Sequence, residues 1–295
     1  MPQSVTARSI RIRRSLGHRH ASRPGPAGQV VWVYAITDDL KPDQLTGLTG
    51  VGGEPVRAVS EAGLTAVVGS VDARTFGEEA RTSLLSDLAS IERLGRVHHQ
   101  VIACVAAESP VLPLRLATVY PDDQTVCSLL GRSSAEFTVM LESFRGTEEW
   151  GVKVYLGAAD EAHDGPAASP EGMTAAPDAA GEAADALTAR QDEPSRPEAG
   201  LAETAPDRDD AEACAEVIDR ALSGIAVATR RQAAADPRSD GPEKWLVLNA
   251  AYLLNRDRAG EFAAVAWALA RSQRGLRADL TGPWPPYSFA DLHQT

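Results

Sequence analysis

The side chains most able to do chemistry are thinly spread along this chain. Outside the terminal stretches, His98-His99 is the one histidine pair. Neighbours on a helix point about 100° apart, so these two cannot readily share a metal ion. A helical metal site would want histidines four apart with a carboxylate in reach. His98 falls on an apolar stripe, which predicts a packed and hydrogen-bonded core residue, with His99 turned more to the side. Glu148-Glu149 are adjacent acids just before an apolar run, a pattern expected of a solvated turn, with nothing to set their pKa values apart. Gly47, Gly50, Gly52 and Gly53 lack the lysine that a phosphate loop needs, and no Gly-x-Ser-x-Gly elbow is present. No catalytic, cofactor-binding or metal-binding residue is assigned.

Two features remain. Arg115 stands between Leu114 and Leu116, where a bare charge is costly. It either pairs with a buried acid or presents a recognition contact. The closing run Thr281-Gly-Pro-Trp-Pro-Pro-Tyr-Ser-Phe289 is the second. Pro283, Pro285 and Pro286 fix φ and remove backbone donors, so the run is expected to be extended and stiff rather than helical. Trp284, Tyr287 and Phe289 are large rings on that stiff backbone and lose little entropy on docking. The segment either latches against the protein's own sheet edge or docks on a partner, with a Pro-x-x-Pro ligand for an SH3-like domain as a third reading.

These residues have to be positioned by ordinary globular cores. The length of 295 residues suggests two domains, and 43% of the residues are hydrophobic. A net charge of -12 argues against broad affinity for nucleic acid. Cys104, Cys127 and Cys214 are odd in number and form no Cys-x-x-Cys pair. They read as small apolar fillers in a reducing cytoplasm, not as a disulfide scaffold or zinc site. No apolar run approaches the roughly 20 residues of a membrane-spanning helix. The start is basic, from Arg8 to Arg23, and has no apolar core of signal-peptide length. It reads as a leader without order, or as a start placed too early.

Periodicity supplies the elements. Val30–Ile36 and Leu64–Val71 read as strands, and Gly47–Pro55 as a loop. From Ser83 onward Leu84, Leu88, Ile91, Leu94, His98, Val101 and Val105 share one helical face, ended by Ser109-Pro110. Val111–Leu116 reads as a short edge strand because of Pro113. Helices follow near 123–130 and 135–144, then a strand at Trp150–Leu156. A helix from Asp209 has acids at its start and Arg230-Arg231 placed at its end. Trp245–Leu254 is a central strand, Asp257–Ser272 a helix and Leu276–Leu280 a strand.

The expected organisation is therefore a disordered basic leader (1–28) and an N-terminal α/β domain (29–156). A disordered acidic insert rich in alanine and proline follows (157–207), then a C-terminal domain with the tail (208–295) that shares the strand at 149–156. With strands this short, an α/β or α+β layout of ferredoxin-like type is expected over a large doubly wound sheet.

The closing run resembles the C-terminal signature of the gas vesicle GvpL/GvpF family. Other blocks resemble that family in the same order: Val31–Ile36, His98–Val101, Val111–Thr118, Glu149–Val154 and Leu248–Leu254. Two departures stand out. The family usually has Arg-Phe-Gly-Thr where this chain reads Arg115-Leu116-Ala117-Thr118. Its Tyr-Leu-x-x-(Arg/Lys) helix start is replaced by Gly200-Leu-Ala-Glu. The resemblance implies a cytoplasmic, non-enzymatic accessory protein of gas vesicle assembly. Its second domain would be a modified ferredoxin-like fold closed by the proline and aromatic tail. Its implied partners are the small hydrophobic shell protein and other vesicle accessory proteins, with neither nucleic acid nor a membrane span. Arg115, Trp284, Pro285, Pro286, Tyr287 and Phe289 are the candidate interaction or latch residues. The competing reading is a small-ligand-binding regulator or small enzyme on paired ferredoxin-like domains, which requires a polar pocket near Arg115 and His98.

Overall fold

The computed structural model describes residues 28–41, 43–77, 80, 84, 86–156, 208–232, 245–272 and 275–290. The expected leader and acidic insert lie outside the described residues, apart from Gly28.

The first sheet is built on β1 (Gln29–Thr37), whose β-branched and aromatic residues are buried on both faces. β2 (Arg57–Glu61) and β3 (Leu64–Asp72) form a hairpin through Ala62 and Gly63, both at positive φ, the conformation of a two-residue hairpin turn. A single helical turn, α1 (Ala73–Phe76), follows β3. α2 (Leu88–Ala106) begins at Asp87, whose carboxylate accepts from Ser90 N at 3.0 Å. β4 (Leu112–Pro113) and β5 (Val119–Tyr120) both pair with β1, giving the order β2-β3-β1-β4, all antiparallel. Pro113 ends its strand at the sheet edge, where no ladder donor is needed. α3 (Asp123–Arg132) and α4 (Ser134–Phe144) complete this half, with Asp122 capping α3 through Thr125 N at 2.8 Å.

The register of β1 against β3 shifts between Val33 and Ala35. Alternation is broken there, so Val31, Val33 and Ile36 face α3 and α4, while Trp32, Tyr34 and Ala35 face α2. One strand thus feeds two cores.

The second sheet takes β6 (Thr147–Leu156), then α5 (Arg208–Ser223), β7 (Ala228–Arg231), β8 (Trp245–Asn255), α6 (Ala259–Ser272) and β9 (Leu276–Trp284). Its order is β7-β8-β6-β9, again antiparallel. Tyr252, Leu254 and Leu248 of β8 pack under Ile218 and Leu222 of α5 and Phe262 of α6. Leu253 points the other way and joins the core of the first half. The fold is mixed helix and sheet, α+β with antiparallel sheets.

Several expectations need correction. The helix from Asp209 stops at Ser223, before Gly224, and Arg230 and Arg231 lie in β7, paired with Ala251 and Ala250. Arg115 is exposed, and among the described residues its side chain makes no ion pair with a buried acid. The backbone turns there instead: Thr118 N and Oγ1 donate to the Arg115 carbonyl at 3.2 and 2.7 Å. Cys104 is exposed, not a core filler. Glu148 and Glu149 are not a solvated turn, because β6 begins at Thr147 and Glu149 is only 3% exposed.

Candidate functional site

The closing run does not stay uniformly extended. Through Trp284 it is the end of β9, pairing Thr281 with Gly151 and Trp284 with Glu149. Two steps along β6 are matched by three along β9, so one residue is extra on the tail side. The kink falls at Gly282, at φ +136, where a Cβ would come within 2.9 Å of the Glu149 carbonyl oxygen. Beyond Pro286 the chain tightens into a 3-10 turn, Tyr287–Phe289, with Phe289 N donating to Pro286 O at 3.2 Å. The prolines forbid a longer helix but not this single turn.

That turn meets Glu149. Ser288 donates to its carboxylate twice, from N at 2.8 Å and from Oγ at 2.6 Å. Burial raises the Glu149 pKa, against the pull of the two Ser288 hydrogen bonds and the charge of Arg230. The preceding residue reaches the other half: Tyr287 Oη and His99 Nδ1 are hydrogen-bonded at 2.8 Å. The Trp284 ring stands edge-on to His99, centroids 5.2 Å apart. Burial lowers the His99 pKa, keeping the ring neutral. Tyr287 and Phe289 pack against the two cores of the first half, and Ala290 is buried in one of them. The tail therefore spans from the edge of the second sheet to α2.

His98 lies deeper, as its place on the apolar stripe predicts. Trp32 Nε1 donates to His98 Nδ1 at 3.0 Å, so the ring proton sits on Nε2, which donates to Leu114 O at 3.0 Å. Desolvation pulls its pKa down to about 4. With both ring nitrogens committed, His98 is a structural pin between β1 and the segment carrying Arg115.

An open cleft of about 500 Å³ lies between the end of α2, the α4–β6 junction and the tail. Ala103 and Ala106 form one wall, Pro283 to Pro286 another, and Phe144 contributes an apolar ring. Most of its charged groups are engaged within the fold, while Glu108 is exposed. Arg256 Nη2 donates to Ala106 O at 2.8 Å, at the helix end where a cation is favoured. Arg145 pairs with Asp38 at 2.9 Å, and Glu148 accepts from Trp150 Nε1 at 2.8 Å. Among the described residues no group of three or more His, Cys, Asp or Glu is placed to hold a metal ion, and no helix is long and apolar enough to cross a membrane.

The structure thus gathers Trp284, Pro285 and Pro286 at the cleft and Tyr287 and Phe289 behind it, and leaves Arg115 apart as an exposed side chain. Glu149, Ser288 and His99 make the polar contacts of the tail; pattern reading placed His99 to the side of its stripe and Glu149 in a solvated turn, and assigned no contact to Ser288. His99 Nδ1 and Tyr287 Oη are 188 positions apart, a pairing no local signal announces.

Together these features define an α+β protein of two antiparallel sheets strapped by a proline- and aromatic-rich tail. The family model "Gas vesicle synthesis protein GvpL/GvpF" matches residues 30–291. Gas vesicle protein L of Streptomyces sp. (strain CB03234) is 38% identical over 274 residues, covering 90% of this chain and 96% of that protein. Gas vesicle protein F of the same strain is 27% identical over 266 residues, covering 88% and 99%. The fold is similar to crystal structures of GvpF from Anabaena sp. PCC7120 and Microcystis aeruginosa. Their TM-scores are 0.54 and 0.56 at 17% and 18% identity, and they cover 90% and 89% of this chain and 97% and 99% of theirs. The chain belongs to the GvpL/GvpF family of gas vesicle synthesis proteins.

Proposed function

We propose that this protein is an accessory factor of gas vesicle assembly that binds the vesicle shell protein and other vesicle accessory proteins without catalysing a reaction. The observation that carries this reading is how the polar groups around the tail are spent. His98, His99 and Glu149 are satisfied within the fold. The cleft sets a stiff apolar and proline wall beside charged side chains such as Arg145, Glu148 and Arg256 that are tied into the fold, a mixed surface suited to holding a polypeptide. Family membership supports partners among gas vesicle proteins; on our reading these include an apolar shell protein met at the forming vesicle in the cytoplasm. Arg115, exposed on the turn beside Leu114, is a candidate recognition contact at a separate point.

We read the chain as two domains that divide near Gly146, with β6 belonging to the second. The connectivity β6-α5-β7-β8-α6-β9 with order β7-β8-β6-β9 supports a modified ferredoxin-like reading of that second domain. The tail then acts as a strap between domains. The competing regulator or enzyme reading needs a polar pocket on Arg115 and His98. The two committed nitrogens of His98 weigh against it.

The experiment is capture by the purified full-length chain of the vesicle shell protein and of each vesicle accessory protein separately. Binding to the shell protein is expected; binding to none of them contradicts the reading.

A further inference from the structure

β9 closes one end of the second sheet, and among the described residues no strand pairs with its outer side. An edge of this kind offers a row of backbone donors and acceptors to another strand. Residues Leu276 to Leu280 read as self-complementary about Ala278. Laid antiparallel on a second copy with a two-fold axis at Ala278, Leu276 meets Leu280 and Arg277 meets Asp279 on both sides of the join. Leu276, Ala278 and Leu280 belong to the apolar layer under the helices, so their pairing would extend that layer across the axis. Arg277 and Asp279 lie on the opposite face, Nε to Oδ1 3.0 Å, in register with Tyr155 and Lys153 of β6.

We propose that this edge is a two-fold interface between copies of this chain, joining two four-stranded sheets into one continuous antiparallel sheet. Charge selects the register. About Ala278, the two arginines and two aspartates alternate, so each has an opposite charge on its own strand and another across the axis. A two-fold centred on Arg277 or on Asp279 sets like charges face to face. Charges that guard a sheet edge normally repel a second copy; here the guarding pair attracts one. Beyond Leu280 the ladder is cut short by the kink at Gly282 and by Pro283, which has no N–H. The contact is therefore small and the association weak and concentration-dependent. It stands independently of the assembly role.

Sedimentation velocity of the full-length chain over a wide concentration range tests this. The unaltered protein is expected to self-associate reversibly. Arg277→Asp and Asp279→Arg, each alone, place like charges opposite and weaken association by about tenfold or more. An equimolar mixture of the two variants associates one to one, because the new carboxylate at 277 faces the new cation at 279. Melting curves establish that both variants fold. An unaltered protein that stays monomeric throughout overturns the proposal. So do single variants that associate as tightly as the parent, or a mixture that fails to associate.

Discussion

Tyr287 Oη and His99 Nδ1 stand 2.8 Å apart in a hydrogen bond that ties the tail of the second sheet to the helix covering the first. One residue further, Ser288 holds the Glu149 carboxylate of β6. The strap is thus held by polar contacts at two successive residues, and Tyr287 and Phe289 pack against the two cores of the first half.

Those two anchors differ in cost. Tyr287→Phe keeps the ring packing and loses one hydrogen bond, for about 1 kcal/mol. Ser288→Ala leaves a buried carboxylate without its hydroxyl donor, and should cost about 1–3 kcal/mol. In a Glu149→Gln background the Ser288→Ala cost should shrink, because the two act as a pair. Urea denaturation measures all three; additive effects of Ser288→Ala and Glu149→Gln would sink the pairing.

Acid should weaken the fold through His98. The folded ring stays neutral until about pH 4, whereas the unfolded chain takes up its proton near 6.5, the ordinary histidine value. Between those values the unfolded state holds the extra proton, so stability falls as the pH falls, by on the order of 3 kcal/mol in all. His99, also lowered, adds in the same sense. Glu149, raised by burial, acts the other way: its contribution is full below the ordinary carboxylate range and is lost as the pH rises through its folded pKa. His98→Gln should melt lower than the parent and show a flatter melting profile between pH 6.5 and 4. An unchanged slope would contradict the assignment.

The family's glycine in Arg-Phe-Gly-Thr has a physical reason. Ala117 occupies that place at φ 63, and Ala62 in the β2–β3 turn is at φ 51. Each carries a left-handed strain of about 1–2 kcal/mol. Ala117 is only 5% exposed, so trimming it to glycine also loses a buried methyl worth about 0.8 kcal/mol. Ala62 is exposed and loses nothing. Ala62→Asn should therefore stabilise by about 0.5–1 kcal/mol, and Ala117→Gly by less. Thermal denaturation that ranks them the other way would refute this balance.

Arg115→Ala should leave stability within about 0.5 kcal/mol of the parent, since the side chain is exposed and the turn is held by backbone and Thr118. If Arg115 is a recognition contact, partner affinity falls in the same variant. Loss of stability instead would mean the cation holds the fold.

How much the sequence revealed depended on whether a residue's environment was local. β1, β3 and β8 were legible because runs such as Val30–Ile36 are buried on both faces. β2 and β7 were not, since Arg57–Glu61 buries only Val59 and Ala228–Arg231 buries nothing fully. His98 was legible as a packed histidine from its stripe, but its partner Trp32 was not. Glu149 was misread because what desolvates it, the turn at Ser288, lies 139 positions away. The closing run was recognisable as stiff, yet only the structure shows the chain turning at Tyr287 to reach α2.

The most direct test of the account is the affinity of the full-length chain for the shell protein, compared with its Ala103→Arg variant. Ala103 lines the cleft from α2 and takes no part in the strap. An arginine there fills the space on a helix that tolerates it. The account predicts unchanged melting and affinity lower by about tenfold or more; unchanged affinity alongside unchanged melting would contradict it.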